Sequence, residues 1–305
     1  MNILVLGGTG FIGSHLVDFL VAGGHEVRVF ARSGEHFRAP IPGVDYRQAA
    51  FSDIPALAEA ISGVDLVYHL VSTTVPATAN RDPIFDIESN LVTTVRFLDL
   101  AAASGVKKLV YLSSGGTVYG VPETLPIPEN HALAPICSYG IIKVAIEGYL
   151  RRFARSHGLK SVVIRPANPY GPRQGHFGVQ GVVGTFLSRV KRGEVLEVWG
   201  DGTTVRDYLY VKDLARFCHD AGMSERTGTY NCGSGSGCSI NRLIGIIREI
   251  SGRNVAVNYH PARGFDLPEV VLDIGKSAAD FGWNPQTALE EGIRLTWEEM
   301  GVPVG

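Results

Sequence analysis

The sequence predicts a doubly wound α/β fold, a parallel sheet with helices on both faces, followed by a smaller C-terminal α/β lobe. Three observations predict it. Short apolar runs alternate with helical patterns through the first half of the chain. A glycine-rich turn, Gly7-Gly8-Thr9-Gly10-Phe11-Ile12-Gly13, joins the first apolar run to the first helical one. Beyond Arg165 the alternation weakens and Gly- and Pro-rich stretches enter.

Asn2 to Leu6 is a short apolar run ending in glycines, the pattern of a strand buried on both faces. Phe11 to Val21 follows, with Ile12, Leu16, Phe19 and Leu20 at helical spacing. Val27–Phe30, Asp65–Leu70 and Lys108–Leu112 read as further strands, and Ile84–Ala103 as a helix between the last two. Ser138–His157 is another helix and Ser161–Arg165 another strand. Such alternation means βαβ units, and right-handed crossovers place helices on both faces of the sheet. Asn168–Gly181 is rich in Gly and Pro and is expected to be loop. Helices are expected at about 182–191, 213–221, 239–251, 276–281 and 288–300, and short strands at 197–199, 229–232 and 255–259. A division follows at residue 167, with 1–167 as one domain and 168–305 as the other, a segment near 204–235 returning to the large sheet.

The bulk numbers restrict the function classes. The chain has 305 residues, 45% hydrophobic and 19% charged, which suits a globular enzyme. A net charge of -2 argues against a nucleic-acid surface or an anionic membrane partner. The four cysteines, Cys137, Cys218, Cys232 and Cys238, form no CxxC pair, so no metal site is expected. No leader precedes the first strand and no apolar run is long enough to span a bilayer, so the expectation is a soluble cytoplasmic protein.

The glycine turn is the first chemical signal. Gly7 permits a tight turn, Gly10 lets backbone approach a pyrophosphate, and Gly13 lets the helix pack on the strand. The helix N-terminus offers N–H groups and a positive dipole end to phosphate. The first domain is therefore expected to bind a dinucleotide. The second strand ends in Ala31-Arg32, where a carboxylate usually binds the adenosine ribose. A guanidinium there would favour the 2′-phosphate of NADP; an arginine stacking on adenine would equally suit NAD.

Tyr139 and Lys143 form a YxxxK pair on one helix face. A free phenol titrates near pH ~10 and is a poor base at neutrality. A neighbouring ammonium, together with an oxidised nicotinamide, would stabilise the phenolate; the bland alternative is an ordinary amphipathic pair. Upstream stands Leu112-Ser113-Ser114-Gly115-Gly116-Thr117-Val118-Tyr119-Gly120, at the end of the fifth strand. Asn231–Gly237 is a second glycine-rich stretch, but it lacks the lysine of a phosphate loop and reads as a turn, with Ser239 capping the next helix.

The GxxGxxG spacing, the YxxxK pair and the SSGGTVYG run together resemble the extended branch of the short-chain dehydrogenase/reductase superfamily. Within that branch the chain resembles the NAD-dependent epimerase/dehydratase family, and the UDP-glucose 4-epimerases most closely. The resemblance covers nearly the whole chain and implies a Rossmann-type sheet with a C-terminal substrate-binding lobe. It implies Tyr139 and Lys143 as the catalytic pair. It also implies NAD contacts from Gly7, Gly10, Phe11, Ile12, Gly13, Arg32, Leu70, Val71, Ser72, Asn90, Leu112, Ser113 and Pro166. Arg165-Pro166-Ala167-Asn168-Pro169-Tyr170-Gly171-Pro172 matches the family's RxxNxYGP. Gly200-Asp201-Gly202 with Arg206-Asp207-Tyr208 and Val211-Lys212-Asp213 matches GDGxxxRDYxxVxD.

The resemblance implies substrate contacts from Gly115, Asn168, Gln180, Gly181, Val198, Trp199, Arg206, Arg263, Asp266 and Val270. Trp199 would pack on a nucleobase, and Arg206 with Arg263 and Asp266 would hold a diphosphate and ribose. Val270 stands where some UDP-hexose 4-epimerases carry a bulky tyrosine, which leaves room for an N-acetyl group. Two departures matter. Gly115 replaces the usual Ser or Thr, so the relay hydroxyl would come from Ser114, Thr117 or a water; alternatively both side chains only satisfy backbone. Gly116-Thr117 replaces the Asp-Glu pair of the sugar-nucleotide dehydratases, which argues against dehydration. The expected activity is NAD-dependent 4-epimerisation of a UDP-hexose, with an NADPH-dependent keto-sugar reductase or a weakly catalytic sugar-nucleotide-binding protein as alternatives. The resemblance also implies a homodimer, built in this family on the helices that correspond to Ile84–Ala103 and Ser138–His157.

Overall fold

The computed structural model describes residues 1–174, 181–262 and 267–301. The elements run β1 (Asn2–Leu6), α1 (Phe11–Ala22), β2 (Glu26–Ala31), β3 (Asp45–Gln48), α2 (Ile54–Ala60), β4 (Leu66–His69), α3 (Pro76–Ala79) and α4 (Pro83–Asp86). A π-helical turn (Ile87–Val92) leads into α5 (Thr93–Ala103), β5 (Lys108–Leu112), α6 (Ser138–His157), β6 (Lys160–Pro166), β7 (Asn168–Tyr170) and α7 (Val182–Arg192). Then come β8 (Leu196–Trp199), β9 (Val205–Tyr210), α8 (Val211–Met223), β10 (Gly228–Cys232), β11 (Gly237–Ser239) and α9 (Ile240–Ser251). The last elements are β12 (Val257–His260), β13 (Glu269–Val270), α10 (Gly275–Phe281) and α11 (Leu289–Glu299).

The chain folds as two compact units. The first comprises 1–120, 132–165 and 215–230. Its centre is a seven-stranded sheet in the order β10-β6-β5-β4-β1-β2-β3, with parallel pairing from β3 through to β6. This is the doubly wound, Rossmann-type arrangement that the sequence predicts. Ile3 to Leu6 are at most 1% exposed, which explains a first strand without a polar face. Leu4, Leu6, Val67, Leu109 and Tyr111 of the strands pack with Phe97 and Leu98 of α5 and Ile142, Ile146, Leu150 and Phe153 of α6. The α6 helix ends where Gly158 adopts φ +69°, with Arg155 and His157 in its last turn facing the negative dipole end.

The second unit comprises 121–131, 166–214 and 231–305. Its sheet runs β11-β9-β13, with β7 also paired to β9, and β8 pairs β12 separately. Helices α7, α9 and α11 bury Phe186, Leu187, Leu243, Ile247, Ile293 and Trp297 in a common core.

Three sequence expectations are corrected. The 168–181 loop contains a strand, because Asn168, Pro169 and Tyr170 pair with Tyr208, Leu209 and Tyr210; the partner strand overrides the local Pro and Gly signal. Strands β9, β11 and β13 and helix α2 were not expected, since three are very short and β9 carries charged residues amid its apolar ones. The expected single helix 84–103 is interrupted by the π-turn at 87–92.

Candidate active site

The glycine turn has the geometry that its spacing demands. Gly7 lies at φ +84°, which side chains disfavour. A Cβ on Gly13 would stand 2.2 Å from the Gly7 carbonyl oxygen and 2.8 Å from Gly8 Cα, so the helix can pack this closely only on glycine. Gly10 caps α1 without a side-chain hydrogen bond, so the N–H groups of Phe11 and Ile12 begin a helix that carries no side-chain cap. A glycine cradle with an uncapped helix N-terminus fits a dinucleotide pyrophosphate. Leu70 N–H bonds the Leu6 carbonyl at 3.1 Å, and Val71 packs within 3.3 Å of where a Gly7 Cβ would lie. Arg32 is exposed just beyond β2.

Tyr139 sits in the first turn of α6, where Ser138 to His157 begin their helix. A Cβ on Gly140 would meet the Thr117 carbonyl oxygen at 2.6 Å, so this glycine lets the helix start lie directly on the Thr117 peptide. Burial pushes the Tyr139 phenol up to about 12; a hydrogen bond with Ser72 opposes this, while Cys137 and Asp86 add to it. Lys143 lies one turn on, its Nζ 5.3 Å from the Tyr139 ring centre and donating to the Leu112 carbonyl at 2.8 Å. Burial pulls the amine down to about 8, against Glu147 and Asp86, which raise it. Among the protein's own groups, desolvation outweighs the other influences at Tyr139.

The hydroxyls sort into two sets. Ser113 Oγ donates to Glu147 Oε1 at 2.6 Å, so this serine is committed to the interior. Glu147 also receives Arg165 through Nε at 3.0 Å and Nη2 at 2.6 Å, and Arg165 Nη1 donates to the Tyr119 hydroxyl at 2.9 Å. This buried ion pair joins β5, α6 and β6 behind the Tyr139–Lys143 pair. Ser114 is half-buried and its carbonyl accepts from Val118 N–H at 3.3 Å. Thr117 Oγ1 is buried with no hydrogen-bond partner among the described residues. A buried orphan hydroxyl is costly in a finished core and suits a group that receives a ligand.

Ser72, Asn90, Val71, Tyr139 and Lys143 line one small void of about 10 Å³, room for one water. Asn90 Oδ1 accepts from Thr73 N–H at 2.9 Å, while its Nδ2 donates to Asp86 at 2.9 Å and to Thr74 Oγ1 at 3.2 Å. Asn90 thus shapes the loop after β4. Sequence reasoning missed Asp86, Gly140 and Glu147. A spacing of four signals two of them: Glu147 follows Lys143, and Asp86 precedes Asn90, by one helical turn.

In the second unit, Asn168 Nδ2 donates to the Asp207 carbonyl at 2.9 Å. Arg206 Nη1 donates to the carbonyls of Val205 and Leu267 at 2.8 and 2.7 Å. Asp207 is fully buried and receives Ser234 N–H and Oγ, Gly235 N–H and Leu272 N–H. Burial raises its carboxyl, and these bonds pull the other way. The second glycine stretch is therefore organised around Asp207, and Ser239 caps α9 through Arg242 N–H. Trp199 is 43% exposed and stacks on His260 with ring centres 5.3 Å apart. It borders an open groove of about 840 Å³ with Gly200, Asp201, Thr203 and Tyr259. Gly181 caps α7 at φ +87°, Val198 is buried in β8, and Val270 is buried in β13 beside Arg206 of β9. Gly115 is buried and Pro166 closes β6. Gln180, Arg263 and Asp266 lie outside the described residues.

Residues 3–233 match the model of the NAD dependent epimerase/dehydratase family. The chain belongs to this family. It is accordingly an enzyme of the extended short-chain dehydrogenase/reductase type. It is similar to the UDP-glucose 4-epimerase of Mycolicibacterium smegmatis, 35% identical over 307 residues and 98% of each chain. A crystal structure of UDP-glucose 4-epimerase from Thermotoga maritima with UDP-glucose matches with a TM-score of 0.95, 37% identity and 99% of each chain covered. The Thermus thermophilus UDP-glucose 4-epimerase in complex with NAD matches with a TM-score of 0.92, 36% identity and 100% of each chain covered. Among the described residues, no helix is long and apolar enough to cross a membrane, and no group of three or more His, Cys, Asp or Glu could hold a metal ion.

Proposed function

We propose that this enzyme inverts carbon 4 of a UDP-hexose by transient oxidation, acting on UDP-glucose and UDP-galactose or their N-acetyl forms. The observation that carries the reading is the half-buried Tyr139, lining one small void with Ser72, with Lys143 one turn away, in a member of this family. Bound NAD supplies the hydride acceptor and donor. Gly7, Gly10, Gly13, Phe11 and Ile12 hold its pyrophosphate, and Val71, Ser72 and Asn90 shape the nicotinamide side. Tyr139 removes the proton of the 4-hydroxyl and returns it after the keto sugar has turned over. Lys143 keeps its proton at neutral pH and offsets the phenolate charge. Thr117, with its buried orphan hydroxyl, and Ser114 stand in for the hydroxyl that Gly115 lacks. Trp199 takes the uracil, and Arg206 with Arg263 the diphosphate.

Arg32 favours a second reading, reduction of a keto sugar with NADPH, because an exposed guanidinium suits a 2′-phosphate. One assay separates the two. Purified enzyme is incubated with UDP-glucose or UDP-N-acetylglucosamine without added cofactor, and the 4-epimers are followed by chromatography. We expect turnover with cofactor retained from the cell. Reduction of a nucleotide keto sugar by NADPH, without epimerisation, would establish the reductase; binding without turnover would refute both.

A further inference from the structure

We propose that Asp86 is a positioning residue for Tyr139: one buried carboxylate ties the first residue of α6 to the loop carrying Ser72, and so holds the phenol beside Ser72 in the small void that both line. The proposal rests on the reading of Tyr139 as the proton-transfer group.

Asp86 has no exposed surface. A buried carboxylate costs several kcal/mol unless its lone pairs are satisfied. Here three side chains donate to it: Thr74 Oγ1 at 2.7 Å and Asn90 Nδ2 at 2.9 Å to Oδ1, and Ser138 Oγ at 2.7 Å to Oδ2. The donors come from three segments. Thr74 lies two residues beyond Ser72, Ser138 directly precedes Tyr139, and Asn90 belongs to the π-turn that begins just after Asp86. Asn90 extends the restraint, since its Oδ1 accepts from Thr73 N–H at 2.9 Å, the peptide that follows Ser72. Ser72 Oγ in turn donates to the Thr74 carbonyl at 2.9 Å. Ser72 and Tyr139, which line one void, are therefore both anchored through one carboxylate. A π-turn is uncommon and recurs at functional sites; here it brings Asn90 within reach of the Asp86 carboxylate and the Thr73 peptide together.

Charge adds a second effect. The groups facing Tyr139 are Ser72 from the loop after β4, Asp86 from α4, Tyr111 from β5, and Cys137 and Lys143 beside it, with Glu147 and His69 facing Lys143. Asp86 raises the phenol and the amine alike. Removing its charge while keeping its shape therefore eases ionisation of Tyr139.

The test compares Asp86→Asn and Asp86→Ala with wild type, each as the full chain with its retained cofactor. Crystal structures read the Ser72–Tyr139 contact, and kinetics give kcat, KM and the pH profile. In Asp86→Ala we expect the contact to open, kcat to fall by about tenfold or more, and KM for the sugar nucleotide to stay within about threefold. In Asp86→Asn we expect the contact kept, kcat within about threefold, and the acid limb of kcat moved to lower pH by about half a pH unit. An unchanged Ser72–Tyr139 contact in Asp86→Ala, or a kcat within about twofold of wild type, overturns the proposal. If Asp86→Ala does not fold, Ser138→Ala cuts one arm of the network, and an unchanged kcat there overturns it equally. A wild type without sugar turnover refutes the epimerase reading alone, since the crystal comparison still decides the role of Asp86.

Discussion

Two effects oppose each other at Tyr139. Burial favours the neutral phenol, whereas the proton transfer proposed for it needs the phenolate. The protein's own groups, Lys143 included, leave the phenol near 12, so in the proposed reaction a bound cationic nicotinamide would have to supply the difference. Tyr139→Phe removes the proton acceptor but keeps the ring against Lys143. We expect kcat to fall about 10²- to 10⁴-fold with retained NAD unchanged, measured as turnover and as absorbance of cofactor released on denaturation. Loss of NAD along with activity would mean that the hydroxyl acts by holding the cofactor. Lys143 is held differently. Its bond to the Leu112 carbonyl and its two carboxylate neighbours keep it charged despite complete burial of the amine end.

The glycine turn between β1 and α1 was legible in the sequence because its requirement is steric and local. At Gly13 the obstructing atoms are backbone, which cannot move aside cheaply. Gly13→Ala is expected to destabilise by about 1–3 kcal/mol and to abolish NAD retention, read by urea unfolding and by cofactor content. Gly245→Ala in α9 is the contrasting case: a Cβ there meets nothing within 4 Å, so the helix gains about 0.5–1 kcal/mol. Equal effects at the two positions would refute the steric account. Tyr139 and Lys143 were legible for a similar reason, four residues on one helix. The Asp86–Ser138 bond and the Asp207–Ser234 bond were not, since each joins segments whose separation no local pattern encodes. Strand β7 was hidden likewise, its pairing decided by β9 rather than by its own Pro and Gly.

Across the whole molecule, the unexplained feature is apolar surface on the first unit. Ile84, Phe85, Ile87 and Val92 along α4 and the π-turn are 37–64% exposed, as are Ile141 and Tyr149 on α6 at 53% and 37%. The two segments are neighbours, so their exposed side chains give that unit an apolar strip along its helices. Such a strip costs free energy in water and favours a partner that covers it. The homodimer that the family resemblance implies would cover it, with two copies packed helix against helix about a two-fold axis so that each strip meets its own equivalent. A charge on both strips would then face a like charge in a low-dielectric contact, which a symmetric interface cannot avoid. The double variant Ile84→Asp, Ile141→Asp is expected to run as a monomer by light scattering where the wild type runs as a dimer. Its residues are exposed in the single chain, so unfolding in urea at low protein concentration, where both are monomers, should differ by no more than about 0.5 kcal/mol. A variant that stays dimeric would place the interface elsewhere; a monomeric wild type would leave the strip to another partner.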